Sequence, residues 1–277
     1  MITPEKTKPT ALVVGPMKCG TSWIHEYFES RGDICLPSGV KETFYFDRYH
    51  HRGLAWYEKH FRHCDPDQNV AIIEVGPSLF HVSSFAAPKI AEELGDIPIV
   101  VTLRDPVKRA WSHYQHMACG YTKLPLQKAV KKYPEIIGAS RYSEHLPIWK
   151  AHFSKVTVLL QSDLADDPDG YVETLSNALG IPLKGAGDLA AQRRNEATTP
   201  RSFLLARLGR YGARSLRFLG LYSVVSALKD AGLKSIFYGG GKATKLVATD
   251  NDMNFLEDLL ESERQFVSPS MAQTGLS

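Results

Sequence analysis

No stretch of this chain reaches the ~18–20 consecutive apolar residues that a bilayer-spanning helix needs, so the sequence offers no transmembrane span. The N-terminal Met-Ile-Thr-Pro-Glu-Lys has no apolar signal-peptide core, which makes a cytoplasmic location the expectation. Cysteines are few. Cys19, Cys35, Cys64 and Cys119 are scattered, without a C-x-x-C pair or metal-ligand spacing, and read as reduced thiols. A net charge of +3 over 277 residues is too weak to argue for nucleic acid, although it suits a small anionic ligand. Internal repeats and low-complexity tracts are absent too. With 43% hydrophobic and 23% charged residues, what remains is a globular chain able to bury a substantial core.

The most telling absence is one lysine. Residues 13–23 read Val-Val-Gly-Pro-Met-Lys-Cys-Gly-Thr-Ser-Trp after the apolar Ala11 and Leu12. The frame is that of a phosphate loop: a strand, Gly15, four residues, Gly20, and a helix from Thr21. A nucleoside-triphosphate loop sets Lys directly after the second Gly, then Ser or Thr, to reach the outer phosphates and Mg²⁺. Here Thr21 takes that place and Lys18 stands three positions upstream. The glycines and the amides that open the helix can still cradle a phosphate. Thr21 and Ser22 add hydroxyls, and Lys18 adds a point charge able to follow charge onto a departing phosphate oxygen. A ligand-free strand–helix turn is the bland alternative.

Apolar runs and helical spacing set the organisation. Strands are expected at 11–15, 70–75, 97–103 (with Pro98 at its beginning) and 156–161, and a loop from 31 to about 40. Helices are expected at 21–31, 83–94, 107–117, about 145–153 and 170–179. This alternation implies an α/β fold, a parallel sheet with helices on both faces. Ligands then bind at the carboxyl ends of the strands, near a topological switch point. Residues 15–22 and 104–112 each follow a strand and so fall on that edge. The tail differs: 192–217 is Arg-rich, 203–228 mixes Leu, Phe and Arg, Gly239-Gly240-Gly241 breaks it, and 254–266 forms a last amphipathic helix.

The second chemical segment is Thr102-Leu-Arg-Asp-Pro-Val-Lys-Arg-Ala-Trp-Ser-His-Tyr114. Arg104 ends a strand and Ser112 lies two helical turns on, so that a bidentate cation and a hydroxyl can meet a second phosphate. Asp105 reads as a helix cap and Arg109 as structural or surface.

Together the two segments resemble the sulfotransferases that use 3′-phosphoadenosine 5′-phosphosulfate (PAPS). Pro16-Met-Lys18-Cys19-Gly20-Thr21-Ser22 is similar to that family's 5′-phosphosulfate loop, Pro-x-Lys/Arg-x-Gly followed by two hydroxyl residues. Leu103-Arg104-Asp-Pro-Val-Lys-Arg-Ala-Trp-Ser112-His-Tyr is similar to its 3′-phosphate segment. Lys41-Glu42-Thr-Phe-Tyr-Phe46 resembles the K-E-x-x-F-F of the carbohydrate, heparan-type branch, and the likeness continues through Arg141-Tyr142-Ser, Trp149 and Leu164 to about residue 200. It implies the P-loop-like sulfotransferase fold over a single domain, 1–277, with a cofactor-binding core at 10–200 and a helical acceptor-side segment at 201–277. It implies PAPS as donor, the 3′,5′-bisphosphate as product, and no metal. Lys18, Cys19, Gly20, Thr21, Ser22, Trp23, Arg104, Ser112 and Tyr142 become cofactor contacts, and Arg193, Arg194 and Asn195 a basic loop over the cofactor.

By the same resemblance Glu42 is the base and Lys18 stabilises the leaving group. The chemistry needs a proton acceptor for the attacking hydroxyl or amine. A surface carboxylate paired with Lys41 is the alternative for Glu42. The small-molecule branch uses histidine, and His25, His50, His51, His60, His63 and His81 keep that option open, with His25 read as structural. The family's K-S/T-P-x-Y segment is replaced by Val75-Gly-Pro-Ser-Leu79, which weakens a sulfated-polysaccharide acceptor. The cysteine pair that staples the cofactor loop of Golgi members is absent. The acceptor is a glycan, lipid or secondary metabolite, with nucleic acid excluded, a membrane surface a possible contact for 201–240, and oligomeric state illegible. A nucleotide-dependent kinase and a non-catalytic module of the same fold are the rivals.

Overall fold

The computed structural model describes residues 7–65, 67–189 and 246–267. Its strands are β1 (Ala11–Gly15), β2 (Ile34–Cys35), β3 (Ala71–Val75), β4 (Ile99–Leu103) and β5 (Val156–Leu160). They form one parallel sheet in the order β2-β3-β1-β4-β5. The helices are α1 (Thr21–Arg31), α2 (Leu54–Glu58), α3 (Ser83–Leu94), α4 (Pro106–Ala118) and α5 (Leu126–Lys132), then α6 (Glu135–Gly138), α7 (Tyr142–His152), α8 (Asp163–Asp166), α9 (Pro168–Leu179) and α10 (Asp250–Phe266).

The strands read as mostly apolar runs because both faces of the sheet are covered. Leu12 and Val14 point to one face and pack with Tyr45, Phe46 and Tyr57, with Ala86 and Ile90 of α3, and with Leu146 and Trp149 of α7. Ala11 and Val13 point to the other, against Ile24 and Phe28 of α1 and Tyr171, Val172 and Leu175 of α9. A third cluster lies beside the sheet, where Val107, Ala110, Tyr114 and Met117 of α4 meet α5, α6 and Leu256 and Leu260 of α10. The α/β architecture expected from the alternation is the one observed.

Differences sit at the ends and in the short pieces. The fourth strand starts at Ile99 rather than 97, since Pro98 offers only its carbonyl, which accepts from the Leu12 amide. The helix expected at 170 begins at Pro168, where the Asp167 side chain accepts from the Gly170 amide and Pro suits the first turn. The helix expected at 145 begins at Tyr142. β2 was expected as loop; two residues are too few to show a period. The last helix starts four residues early, at Asp250, because Thr249 and Asp252 form a capping box. It docks through a buried carboxylate: Glu263 accepts from the Ser143 amide (2.9 Å) and hydroxyl (2.6 Å) at the start of α7. Arg264 pairs with Asp105 at 3.3 Å.

The cysteine expectation needs correcting. Cys35 and Cys64 form a disulfide, with their Cα atoms 5.6 Å apart. The spacing along the chain hid it, because β2 and the turn before β3 bring together residues 29 positions apart. Only Cys19 and Cys119 are free thiols. Among the described residues no helix is long and apolar enough to cross a membrane. The expected basic segments at 192–217 and 201–240, with Arg193, Arg194 and Asn195, lie outside the described residues.

One contact fixes the turn after β1. Gly15 has φ +97°, and a Cβ there would stand 2.5 Å from the Pro77 Cα, in the turn after β3. Neither backbone can retreat without shifting a central strand. Gly15→Ala is expected to destabilise the fold by about 1–3 kcal/mol, read as a lower urea midpoint; an unchanged midpoint would contradict this packing.

Candidate active site

The chain leaves β1, builds β2 and β3 on one side, then crosses to place β4 on the other. The loops after β1 and β4 therefore meet at the switch point, as the strand alternation implied. The Arg104 guanidinium, directly after β4, donates to the Lys18 carbonyl at 3.4 Å. Within the loop Lys18 adopts φ +74°, an unusual value for a residue with a side chain. Gly20, at φ +93°, starts α1 with no side-chain cap, so the helix presents its first turn of amides to the loop. Thr21 is buried and Ser22 half-buried; the Ser22 hydroxyl accepts from the Lys41 ammonium at 3.0 Å. The Trp23 indole donates to the Leu189 carbonyl at 3.0 Å.

A buried guanidinium supports this loop from behind. Arg109, 0% exposed, donates to the Met17 carbonyl at 3.3 Å, to the Ser140 hydroxyl and to the Ile136 carbonyl. Tyr142 closes the arrangement, its hydroxyl donating to the Arg104 carbonyl at 3.0 Å and lying 4.0 Å from the Cys19 sulfur. Burial, with Arg104 and then Arg109 adding positive charge, holds the Lys18 amine below its ordinary range. Burial pushes the Cys19 thiol up to about 11, so it stays protonated and packs as a small apolar group. Ser112 sits half-buried on α4, two turns beyond Arg104. Asp105 is the cap of α4, accepting from the Lys108 amide at 2.7 Å, as its bland reading held.

The carboxylate side is built on β3. Glu74 is fully buried and accepts from the Thr43 amide (2.8 Å), the Thr43 hydroxyl (2.7 Å) and the Tyr57 hydroxyl (2.7 Å). Those bonds draw the segment after Lys41 onto the sheet, and Glu74 pairs in register with Leu12 of β1. Glu42 is thereby held beside Glu74 with its Oε2 buried and without a hydrogen-bond partner. Burial, then the Glu74 charge, lifts the Glu42 carboxyl to about 7, while Lys41 pulls the other way. Asp47, 6% exposed, also has a buried unpartnered oxygen, and burial raises it too. An unpaired carboxylate oxygen away from water is costly, and this segment holds two.

The histidines divide. His50 is bound between Glu93 (2.9 Å) and Lys89 (3.1 Å), His60 faces the Ser38 carbonyl at 3.4 Å, and His25 pairs with Glu29 at 3.3 Å within α1. His63 lies against Cys35, and His51 stacks edge-on to Tyr49. His81 is the exception, with a buried, unpartnered Nδ1, and burial lowers it to about 4. Sequence reasoning undervalued Arg109, Glu74 and Asp47. A charge inside an apolar run, as in Ala71-Ile-Ile-Glu74-Val75, was the available signal for Glu74.

The sulfotransferase domain family matches residues 8–200. The "Membrane-associated sulfotransferase kil1" of Dictyostelium discoideum is 32% identical over 106 residues, 38% of this chain and 22% of that one. The mouse "Heparan sulfate glucosamine 3-O-sulfotransferase 3B1" is 29% identical over 189 residues, 64% of this chain and 47% of that one. The Xenopus laevis "Bifunctional heparan sulfate N-deacetylase/N-sulfotransferase 1" is 27% identical over 62% of this chain. The chain thus spans between 22% and 47% of the length of these relatives. Among solved structures, a sulfotransferase from Alicyclobacillus acidocaldarius superposes with TM-score 0.56 at 20% identity, over 76% of this chain and 93% of that one. The mouse sulfotransferase SULT7A1 complexed with PAP gives 0.51 at 12% identity, over 97% and 87%. These two share the fold.

The raised Glu42 carboxyl has a stability consequence. Unfolded, it ionises near its ordinary 4.5; folded, near 7. Stability is therefore lost as pH rises between those values and stays lower above them. Glu42→Gln is expected to be more stable than the parent at pH 8, by up to ~3 kcal/mol, with the difference gone at pH 4. Urea unfolding at the two pH values checks this, and equal stability at pH 8 would remove the buried-carboxylate account.

Proposed function

Because the chain belongs to the sulfotransferase domain family, we propose that it transfers a sulfuryl group from PAPS to a hydroxyl or amine of a carbohydrate, lipid or secondary-metabolite acceptor. The observation that carries this reading is the pairing across the switch point: a cationic phosphate loop against Arg104, joined through the Lys41–Ser22 contact to the segment that holds the unpartnered carboxylate oxygen of Glu42. When bound, the donor supplies the sulfuryl group and leaves as a 3′,5′-bisphosphate. Lys18 and the amides opening α1 bind the 5′-phosphosulfate, with Cys19, Gly20, Thr21, Ser22 and Trp23 shaping the loop. Arg104 and Ser112 bind the 3′-phosphate, and Tyr142 positions Arg104 through its carbonyl. Charge on the leaving oxygen meets Lys18 and the helix N-terminus, so the reading calls for no metal.

Glu42 takes the proton. The Glu42 carboxylate, with one oxygen free of hydrogen bonds, accepts the proton of the acceptor's O–H or N–H as the sulfur is attacked. A carboxyl near 7 is ionised just above neutral pH yet more basic than an ordinary glutamate, which suits a general base. The rate is accordingly expected to rise through about pH 7 and level off. The chain spans less than half the length of these relatives, so its acceptor is read from its own residues; that one of them is named a heparan sulfate glucosamine 3-O-sulfotransferase supports a glycan among the candidates.

Three substitutions test the assignment. Glu42→Gln is expected to keep bisphosphate binding and lose ~10²–10⁴-fold in rate; a loss of only a few-fold would move the base to His81. Lys18→Ala should abolish transfer, and near-normal turnover would reject its role. Arg104→Ala should weaken adenosine 3′,5′-bisphosphate far more than adenosine 5′-phosphate by calorimetry. In a thermal-shift comparison, the bisphosphate should stabilise the protein where ATP with Mg²⁺ does not; the reverse would favour a kinase.

A further inference from the structure

Away from the phosphate loop, one cluster of reactive side chains takes no part in the transfer chemistry. Cys35 ends β2, Cys64 stands before β3, and both are buried and joined. His63 places Nε2 3.4 Å from the Cys35 sulfur. One ligand atom from each of the three lies within 4.8 Å of the others. The cluster is not sealed: His63 is exposed, and with Cys35 it lines an open groove of about 570 Å³ that also includes Lys41, Asp65 and Asn69. Small ions in that groove meet His63 and Cys35, with Cys64 bonded behind them.

We propose that Cys35, His63 and Cys64 form a redox-gated metal site, a disulfide when oxidised and a zinc site when reduced. A small dithiol reductant supplies two electrons and two protons, is itself oxidised to a disulfide, and leaves two cysteine thiols. Zinc then displaces both thiol protons and binds two thiolates and the neutral His63 imidazole. Two sulfurs and one nitrogen are a ligand set that zinc takes readily in tetrahedral sites, with a fourth position left for water. At the usual Zn–S length the sulfurs part to roughly 3.8 Å. Thiolates select against Mg²⁺ and Ca²⁺, which take oxygen ligands.

Both states do the same mechanical work. Either cross-link ties β2 to the entry of β3 and closes residues 36–63, the segment that carries Lys41, Glu42, Asp47 and Tyr57. A disulfide persists in oxidising surroundings and is reduced in a cytosol; a zinc bridge would hold this segment where the disulfide cannot. The proposal rests on no assumption about donor or acceptor.

The test uses the full chain reduced with a phosphine and kept anaerobic, titrated with Co²⁺ as the spectroscopic probe. One equivalent should bind, with thiolate-to-cobalt charge-transfer absorption and the d–d bands of a tetrahedral ion, both lost on adding Zn²⁺. The oxidised chain should show neither. Cys64→Ser should remove the site, and His63→Ala should weaken it by more than the ~10–100-fold that losing an outer-shell partner costs. No thiolate band in the reduced parent, its persistence in Cys64→Ser, or unchanged affinity in His63→Ala would each overturn the proposal. A second reading guards against misfolded variants: Zn²⁺ should raise the thermal midpoint of the reduced parent and leave the oxidised one unmoved. No rise in the reduced parent would also overturn it.

Discussion

Arg109 is wholly buried, and its hydrogen bonds run to the Met17 and Ile136 carbonyls, the Ser140 hydroxyl and the His113 Nδ1, with no carboxylate among those partners. Removing a charge from water without a counter-ion costs several kcal/mol, so the groups that solvate it are held firmly. All but His113 come from the phosphate loop, from α6 and from the turn into α7; His113 and Arg109 itself come from α4. Four pieces of chain are thus fixed by one side chain, and the Ser140 hydroxyl adds a bond to the Pro106 carbonyl at the start of α4. Burial, then Arg104 and the Arg109 charge, depress the Lys18 amine, and burial followed by Arg109 takes His113 down to about 3. This end of β1 and β4 is therefore short of negative charge, and an anion would relieve it.

Across the sheet the imbalance is reversed. Glu42, Glu74 and Asp47 are raised together, each chiefly by burial. Glu74 is stabilised by three donors and serves as the hub that shapes the segment; Glu42 and Asp47 keep an unpartnered oxygen each. Well-packed folds rarely tolerate such groups, and those they keep tend to be functional. An excess of buried cation on one strand end and of buried carboxylate on its neighbour is a division of labour that suits moving a charged group between two partners.

The doubly covered strands were legible because burial on both faces writes itself as runs rich in Val, Ile and Leu. The loop and Arg104 were legible because each is a short motif whose residues are neighbours along the chain. What stayed hidden depends on contacts between distant residues. Cys35 and Cys64 carry no spacing signal, Arg109 differs from a surface arginine only by what surrounds it, and the two-residue β2 has no room for periodicity. The boundaries of α9 and α10 shifted because capping by Asp167 and Thr249 is set by backbone geometry rather than by the apolar stripe.

The final helix lies outside the matched stretch, which ends at residue 200. Yet Glu263 caps α7 just after Tyr142, and Arg264 pairs with Asp105 just after Arg104. Glu263 and Arg264 are neighbours on one helix, so the starts of α4 and α7 are tied to the same rigid rod. A shift of either helix start would have to carry the other with it.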